Sequence, residues 1–196
     1  MMRPKIFIVT VASIVVALAL AGCAGEQASG PPTTAEGAIF AEYDLEGLDT
    51  REVIETLDGM PIAERPEGLA TSIRANYVSL KDSAGQTAEL PLPEDVVYIS
   101  AAPYRAQTHD CYYHSPTGCI GELQNAEVDV KVTDLTSGEV VFNESLRTFD
   151  NGFFGLWLPR GIEAQIVVSY QGQTASSTIS TAGDDVQTCI TTLQLT

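Results

Sequence analysis

The sequence predicts an α+β protein in two parts: a small N-terminal α+β domain over residues 38–100, then an all-β, sandwich-like domain over 101–196 that carries a cluster of soft ligands. Three observations lead there. One capped amphipathic segment occurs early in the chain, between Leu48 and Asp58, and none occurs later. From Ala126 onward, short apolar runs recur about every 8–12 residues between Gly, Asn and Pro turns, the spacing of strands in a sandwich. Both histidines and two of the four cysteines fall within residues 108–119, where the two parts join.

The elements follow in order. Arg3 and Lys5 precede an apolar run from Ile6 to Leu20, which reads as a secretory signal over residues 1–22. Its end, Leu20-Ala21-Gly22-Cys23, resembles the lipobox of bacterial lipoproteins, in which the residue matching Cys23 carries the lipid. A plain secretory signal or a signal anchor is the alternative. Residues 23–37, with EQASGPPTT at 26–34, offer no apolar face and read as a flexible tether.

Leu48–Asp58 (LDTREVIETLD) is predicted helical, with Asp49 as the cap and Glu52 completing a capping box. Leu48, Val53, Ile54 and Leu57 form its apolar stripe, and Gly59 stands at the stop. Tyr77–Leu80 and Thr87–Leu90 flank a Gly-containing loop and read as a hairpin. Val96–Ala101 is a further strand leading into the His/Cys segment. In the second part, Val128, Val130 and Val132 share one face of Ala126–Thr133. Glu139–Asn143, Phe153–Leu158, Ala164–Tyr170, Gln173–Ser180 and Thr188–Leu195 supply the other strands. Phe153, Phe154 and Trp157 are expected in the sandwich core, and Cys189 is expected to share a face with Thr191, Leu193 and Leu195.

The formal charge is −16, and more negative still once Arg3 and Lys5 are set aside with the signal. Such a surface excludes nucleic acid and charge-driven binding to anionic lipid, both of which need positive patches. Membrane attachment would then run through a lipid anchor only. Both histidines are committed to the cysteine segment, so none is left for a serine-type triad. No glycine-rich phosphate loop or HExxH is present, so no catalytic residue is assigned.

The segment Thr108-His109-Asp110-Cys111-Tyr112-Tyr113-His114-Ser115-Pro116-Thr117-Gly118-Cys119 carries the chemistry. Thiolate and imidazole bind soft and borderline metals such as Cu(I), Cu(II) and Zn(II). In an extended stretch His109 and Cys111 point the same way, and Ser115-Pro116-Thr117-Gly118 has the composition of a type I turn. A reversal there brings Cys119 back beside His114 and Cys111. Spacing alone also allows one disulfide and a spare thiol among Cys111, Cys119 and Cys189. On that reading the protein is a tethered β-sandwich interaction module with a structural Cys111–Cys119 bridge. A dithiol oxidoreductase is disfavoured, because no CxxC occurs.

Ala102-Pro103-Tyr104, the 108–114 run, Cys119, Gly121-Glu122-Leu123, the stretch from Asn151 to Pro159 (NGFFGLWLP) and Thr188-Cys189 together resemble the CueP family, over roughly residues 40–196. These are extracytoplasmic copper-binding proteins of bacterial copper resistance. The resemblance implies that Cys111, Cys119 and Cys189 match the family's three cysteines, and His109 and His114 its site histidines. It implies a two-domain protein whose N-terminal part can mediate homodimerisation. It further implies a copper store, or a donor to extracytoplasmic cuproenzymes such as copper-zinc superoxide dismutase. Cu(I) suits these ligands best, Cu(II) would tend to oxidise the thiols while being reduced, and zinc is the alternative ion. Family members of Gram-negative bacteria are periplasmic, whereas the lipobox here points to a form anchored to the membrane by lipid.

Overall fold

The local sequence signals close as written. In the computed structural model, which describes residues 35–196, helix α2 (Thr50–Gly59) is capped by Asp49, with the reciprocal Glu52 contact of a capping box. Glycine is its last residue and Met60 the cap beyond it. The signal, Cys23 and the tether up to residue 34 lie outside the described residues. A helix missing from the sequence reading, α1 (Ala35–Glu42), begins inside the stretch expected to be tether.

Ten strands follow among the described residues. β1 (Ala70–Ile73), β2 (Tyr77–Lys81) and β3 (Thr87–Pro91) form an antiparallel sheet in that order. α1 and α2 close over it, burying Ile39, Val53, Ile54, Leu57, Ile73, Val78 and Leu80 in one core. β5 (Glu127–Asp134), β6 (Val140–Arg147), β8 (Glu163–Tyr170) and β9 (Gln173–Ser180) form a second sheet in the order β6-β5-β8-β9. Val128, Val130 and Val132 point into the sandwich core, as their alternation requires.

The third sheet joins the two parts. It runs β10-β4-β7, with β4 spanning Val96–Tyr104, β7 Phe154–Pro159 and β10 Cys189–Gln194. β7 pairs with β4 antiparallel and β10 pairs with it parallel. The domain boundary expected at residue 100 falls inside β4, whose two faces serve different cores. Val97, Ile99 and Ala101 enter the sandwich, while Tyr98 enters the helical core. Burial on both faces explains why seven consecutive residues of this strand are buried.

Two expectations change here. Phe154 does lie in the sandwich core, but Phe153 packs with Ala102, Cys119 and Cys189, and Trp157 packs on the helical core beside Tyr98. A strand buried on both faces has two apolar sides, so hydrophobicity alone does not say which side faces the sandwich. Similarly, Leu193 and Leu195 enter the sandwich core, but Cys189 does not share their face. The register of β10 against β4 shifts between Ile190 and Leu193, and a bulge of that kind inverts the alternation. Cys189 thereby turns outward from the sandwich, toward the seam with the helical part.

Candidate metal centre

Three backbone clamps hold the 108–119 segment in that seam. The Tyr112 carbonyl accepts from the N–H groups of Thr188 and Cys189 at the start of β10. The His114 carbonyl accepts from Ile73 N–H in β1, and its own N–H donates to Thr188 Oγ1 at 3.0 Å. The turn at Ser115–Gly118 forms as expected, its Ser115 carbonyl accepting from Gly118 and Cys119 N–H. Upstream, one Glu122 carboxylate oxygen accepts from the N–H groups of Arg105, Ala106 and Gln107 at 2.9–3.0 Å, fixing the path into His109. Those amide donors hold the Glu122 carboxyl below its ordinary range.

The consequence is convergence. One donor atom each from His109, Cys111, Cys119 and Cys189 lies within 4.8 Å of every other. Cys111 and Cys189, with Cα atoms 5.6 Å apart and a sequence separation of 78, form a disulfide. Cys119 keeps a free thiol, its Sγ 3.6 Å from that of Cys111. The Cys111–Cys119 bridge weighed from spacing is therefore corrected, since the bulge in β10 turns Cys189 toward Cys111 and the bridge forms there. Ligands at about 2.3 Å (sulfur) and 2.0 Å (nitrogen) from a tetrahedral ion stand roughly 3.5–3.8 Å apart. The Cys111–Cys119 spacing already matches, so the donor set fits a small soft ion once the bridge is open.

The site is graded in exposure. Cys189 and His114 are fully buried, Cys119 nearly so, while His109 and Cys111 are half-buried. His109 borders a hollow of about 300 Å³ lined also by Gln107, Thr108, Ile120, Gly121 and Glu122. Phe153 forms the rear wall, its ring 4.7 Å from that of His114. Tyr112 and Tyr113 are both anchored at Asp185. Both hydroxyls hydrogen-bond Asp185, Tyr112 to its carbonyl and Tyr113 to its carboxylate, and Arg74 stacks on Tyr113.

His114 does not belong to the set of four, although it touches it. Its Nδ1 stands 3.9 Å from Cys189 Sγ, and its Nε2 lies 2.8 Å from Asp58 Oδ1. Asp58, near the end of α2, is fully buried. It accepts hydrogen bonds from Tyr98 Oη (2.7 Å), Ser100 Oγ (3.2 Å) and Asn151 Nδ2 (2.8 Å). Burial by itself would lower the His114 pKa, but the Asp58 charge and hydrogen bond outweigh it and raise it to about 9. Burial would likewise raise Asp58, and the His114 charge with the converging donors pulls it below its usual value. Burial works against the Cys119 thiolate too, yet His114 and the Ser115 N–H bring its pKa down.

The run NGFFGLWLP now has a physical reading. Asn151 bonds both the carboxylate and the carbonyl of Asp58. Gly152 has φ +79° and would put a Cβ 2.5 Å from the Gly121 carbonyl oxygen. Gly155 lies under Tyr98, where a Cβ would overlap the phenol ring and hydroxyl. Sequence reasoning missed Asp58 altogether, because its partners lie 40–93 residues away and no local motif marks a lone acid on a helix.

Three cysteine sulfurs and an imidazole on a rigid β scaffold define, by donor chemistry, a protein suited to a soft metal ion. The chain belongs to the CueP family: residues 52–194 match the family described as periplasmic copper-binding protein CueP. Among solved structures it is similar to one titled Crystal Structure of S.CueP, at 40% sequence identity and a TM-score of 0.77, covering 83% of this chain and 98% of that one. No curated protein sequence matches it.

Proposed function

We propose that this protein is an extracytoplasmic copper-binding lipoprotein, anchored through Cys23, that holds copper as Cu(I) on Cys111, Cys119 and Cys189 with imidazole from His109 and His114. The observation that carries the reading is the convergence of four soft donors within 4.8 Å of one another. Membership of a family described as periplasmic and copper-binding supports it. The bound ion would be cargo: sequestered when copper is in excess and released to a cuproenzyme that binds it more tightly.

The thiols also supply a reductant. Two Cu(II) ions each take one electron as the Cys111 and Cys189 thiolates lose one each and join, giving two Cu(I) and one disulfide. A Cys111–Cys189 bridge is what the oxidised half of that cycle would contain, and Cys119 keeps a free thiol beside it. The same bridge, crossing 78 residues, favours a second reading in which it is purely structural and the domain is an interaction module. Zinc would suit the same donors.

Chelator competition for Cu(I), run on fully reduced protein and on protein with the bridge intact, separates the readings. Reduced protein is expected to take one Cu(I), with an affinity that falls in acid as the ligands protonate. The bridged form, short of two thiolates, is expected to bind it at least a hundredfold more weakly. Equal, weak binding by both forms would leave the structural bridge as the better account.

A further inference from the structure

We propose that Asp58 is a positioning residue for the copper site, holding His114 so that its Nδ1 faces the sulfurs as a ligand. This rests on the copper reading above and names a residue outside the cysteine segment on which that reading depends.

The geometry supplies the reason. An imidazole has two nitrogens, and the one that hydrogen-bonds a carboxylate leaves the other for a metal. In His114 the nitrogen on the carboxylate is Nε2, at 2.8 Å from Asp58 Oδ1. The nitrogen on the sulfur side is Nδ1, at 3.9 Å from Cys189 Sγ. That separation is within a few tenths of an ångström of the ~3.5 Å expected between nitrogen and sulfur sharing one tetrahedral ion.

Asp58 is the carboxylate that fixes Nε2 in the seam. The Asp58 carboxylate is itself held by Tyr98, Ser100 and Asn151, so it cannot follow the ring if His114 rotates. Phe153 covers one face of the imidazole. The carboxylate sits in the last turn of α2, where the helix dipole disfavours negative charge, and it is fully buried. A buried carboxylate in such a place is costly unless it is paired and hydrogen-bonded, and His114 is its ion-pair partner.

The consequence is that a residue of the helical part controls a site whose cysteines all lie elsewhere. Removing the carboxylate frees the ring to present either nitrogen, and the copper site loses a fixed ligand. Groups that orient metal-binding histidines typically change affinity by roughly 10–100-fold when lost.

The test has two arms. In the first, reduced wild-type protein labelled with ¹⁵N in histidine is loaded with one Cu(I), which is diamagnetic, and the His114 nitrogens are observed by NMR. The expected spectrum has the proton on Nε2 and a metal-shifted Nδ1. In the second, Asp58→Asn is compared in chelator competition with Ile54→Val, a change in the apolar core of the same helix that lowers stability without touching the ring. Asp58→Asn is expected to weaken Cu(I) binding 10–100-fold and to remove the Nε2–H signature, while Ile54→Val changes the affinity less than twofold.

A proton on Nδ1 in copper-loaded wild type overturns the proposal, whether or not Asp58→Asn folds. So does an Asp58→Asn protein that keeps wild-type affinity, or one whose loss Ile54→Val reproduces. Reduced wild type that binds no Cu(I) overturns the copper reading itself, and this proposal with it.

Discussion

Cys189→Ser is expected to weaken Cu(I) binding by the reduced protein roughly a hundredfold and to abolish most of the copper-induced rise in melting temperature. Structural Zn(II) held by four ligands binds with ~10–16 kcal/mol, about 3 kcal/mol per ligand, and a similar worth per ligand for Cu(I) is about two orders of magnitude in Kd. Copper stabilises the folded state only as far as it binds there, so the thermal shift shrinks with the affinity. Cys189 has a second role that Cys119 lacks. It closes the bridge to Cys111 across 78 residues, so in the oxidised protein its loss also costs about 2–5 kcal/mol of stability. Cys119→Ser leaves that bridge intact and should lower only the Cu(I) affinity. Thermal melts of the oxidised variants alongside Cu(I) competition of the reduced ones check both. If Cys189→Ser retains wild-type affinity and thermal shift, Cys189 is a core residue and the site is confined to 109–119.

Gly155→Ala is expected to destabilise the protein by about 3–5 kcal/mol, a fall in melting temperature of roughly 8–15 °C for a domain of this size. A Cβ on Gly155 overlaps the Tyr98 ring and hydroxyl, so the tyrosine must move. Tyr98 is buried in the helical core, with Trp157 against it at 4.9 Å. Moving it also breaks the 2.7 Å hydrogen bond to Asp58, leaving a buried carboxylate short of a donor. Tyr98→Phe combined with Gly155→Ala should be less destabilised than the sum of the two changes, since the clash and the hydrogen bond share one residue. Urea midpoints of the two single variants and the double variant measure it. A Gly155→Ala protein within 1 kcal/mol of wild type would show that the β4–β7 seam is looser than its packing indicates.

The ease with which different features were read from sequence follows from their range. The α2 cap, the β2–β3 hairpin and the valines of β5 are local patterns with a fixed period, and all three stand as expected. The His109–Cys119 cluster was visible because its turn closes within four residues. α1 and β1 were missed: the first lacks a one-sided apolar stripe, and the second is a four-residue strand with no turn signature of its own. The face of Cys189 was misassigned by a bulge that period-two counting cannot see. The Cys111–Cys189 pairing depends on that bulge, so spacing could not select it among three cysteines. Asp58 was invisible for a related reason, because its partners His114, Tyr98 and Asn151 come from a loop, a strand and a turn far apart in sequence.

The central claim is that the cysteines of the seam together bind one copper ion. Copper K-edge X-ray absorption on the reduced protein, loaded with one equivalent of Cu(I), tests it most directly. The account predicts a Cu(I) edge and a first shell dominated by two or three sulfurs near 2.3 Å, with a nitrogen contribution from imidazole. A first shell of oxygen and nitrogen alone, unchanged when all three cysteines are replaced by serine, would contradict it.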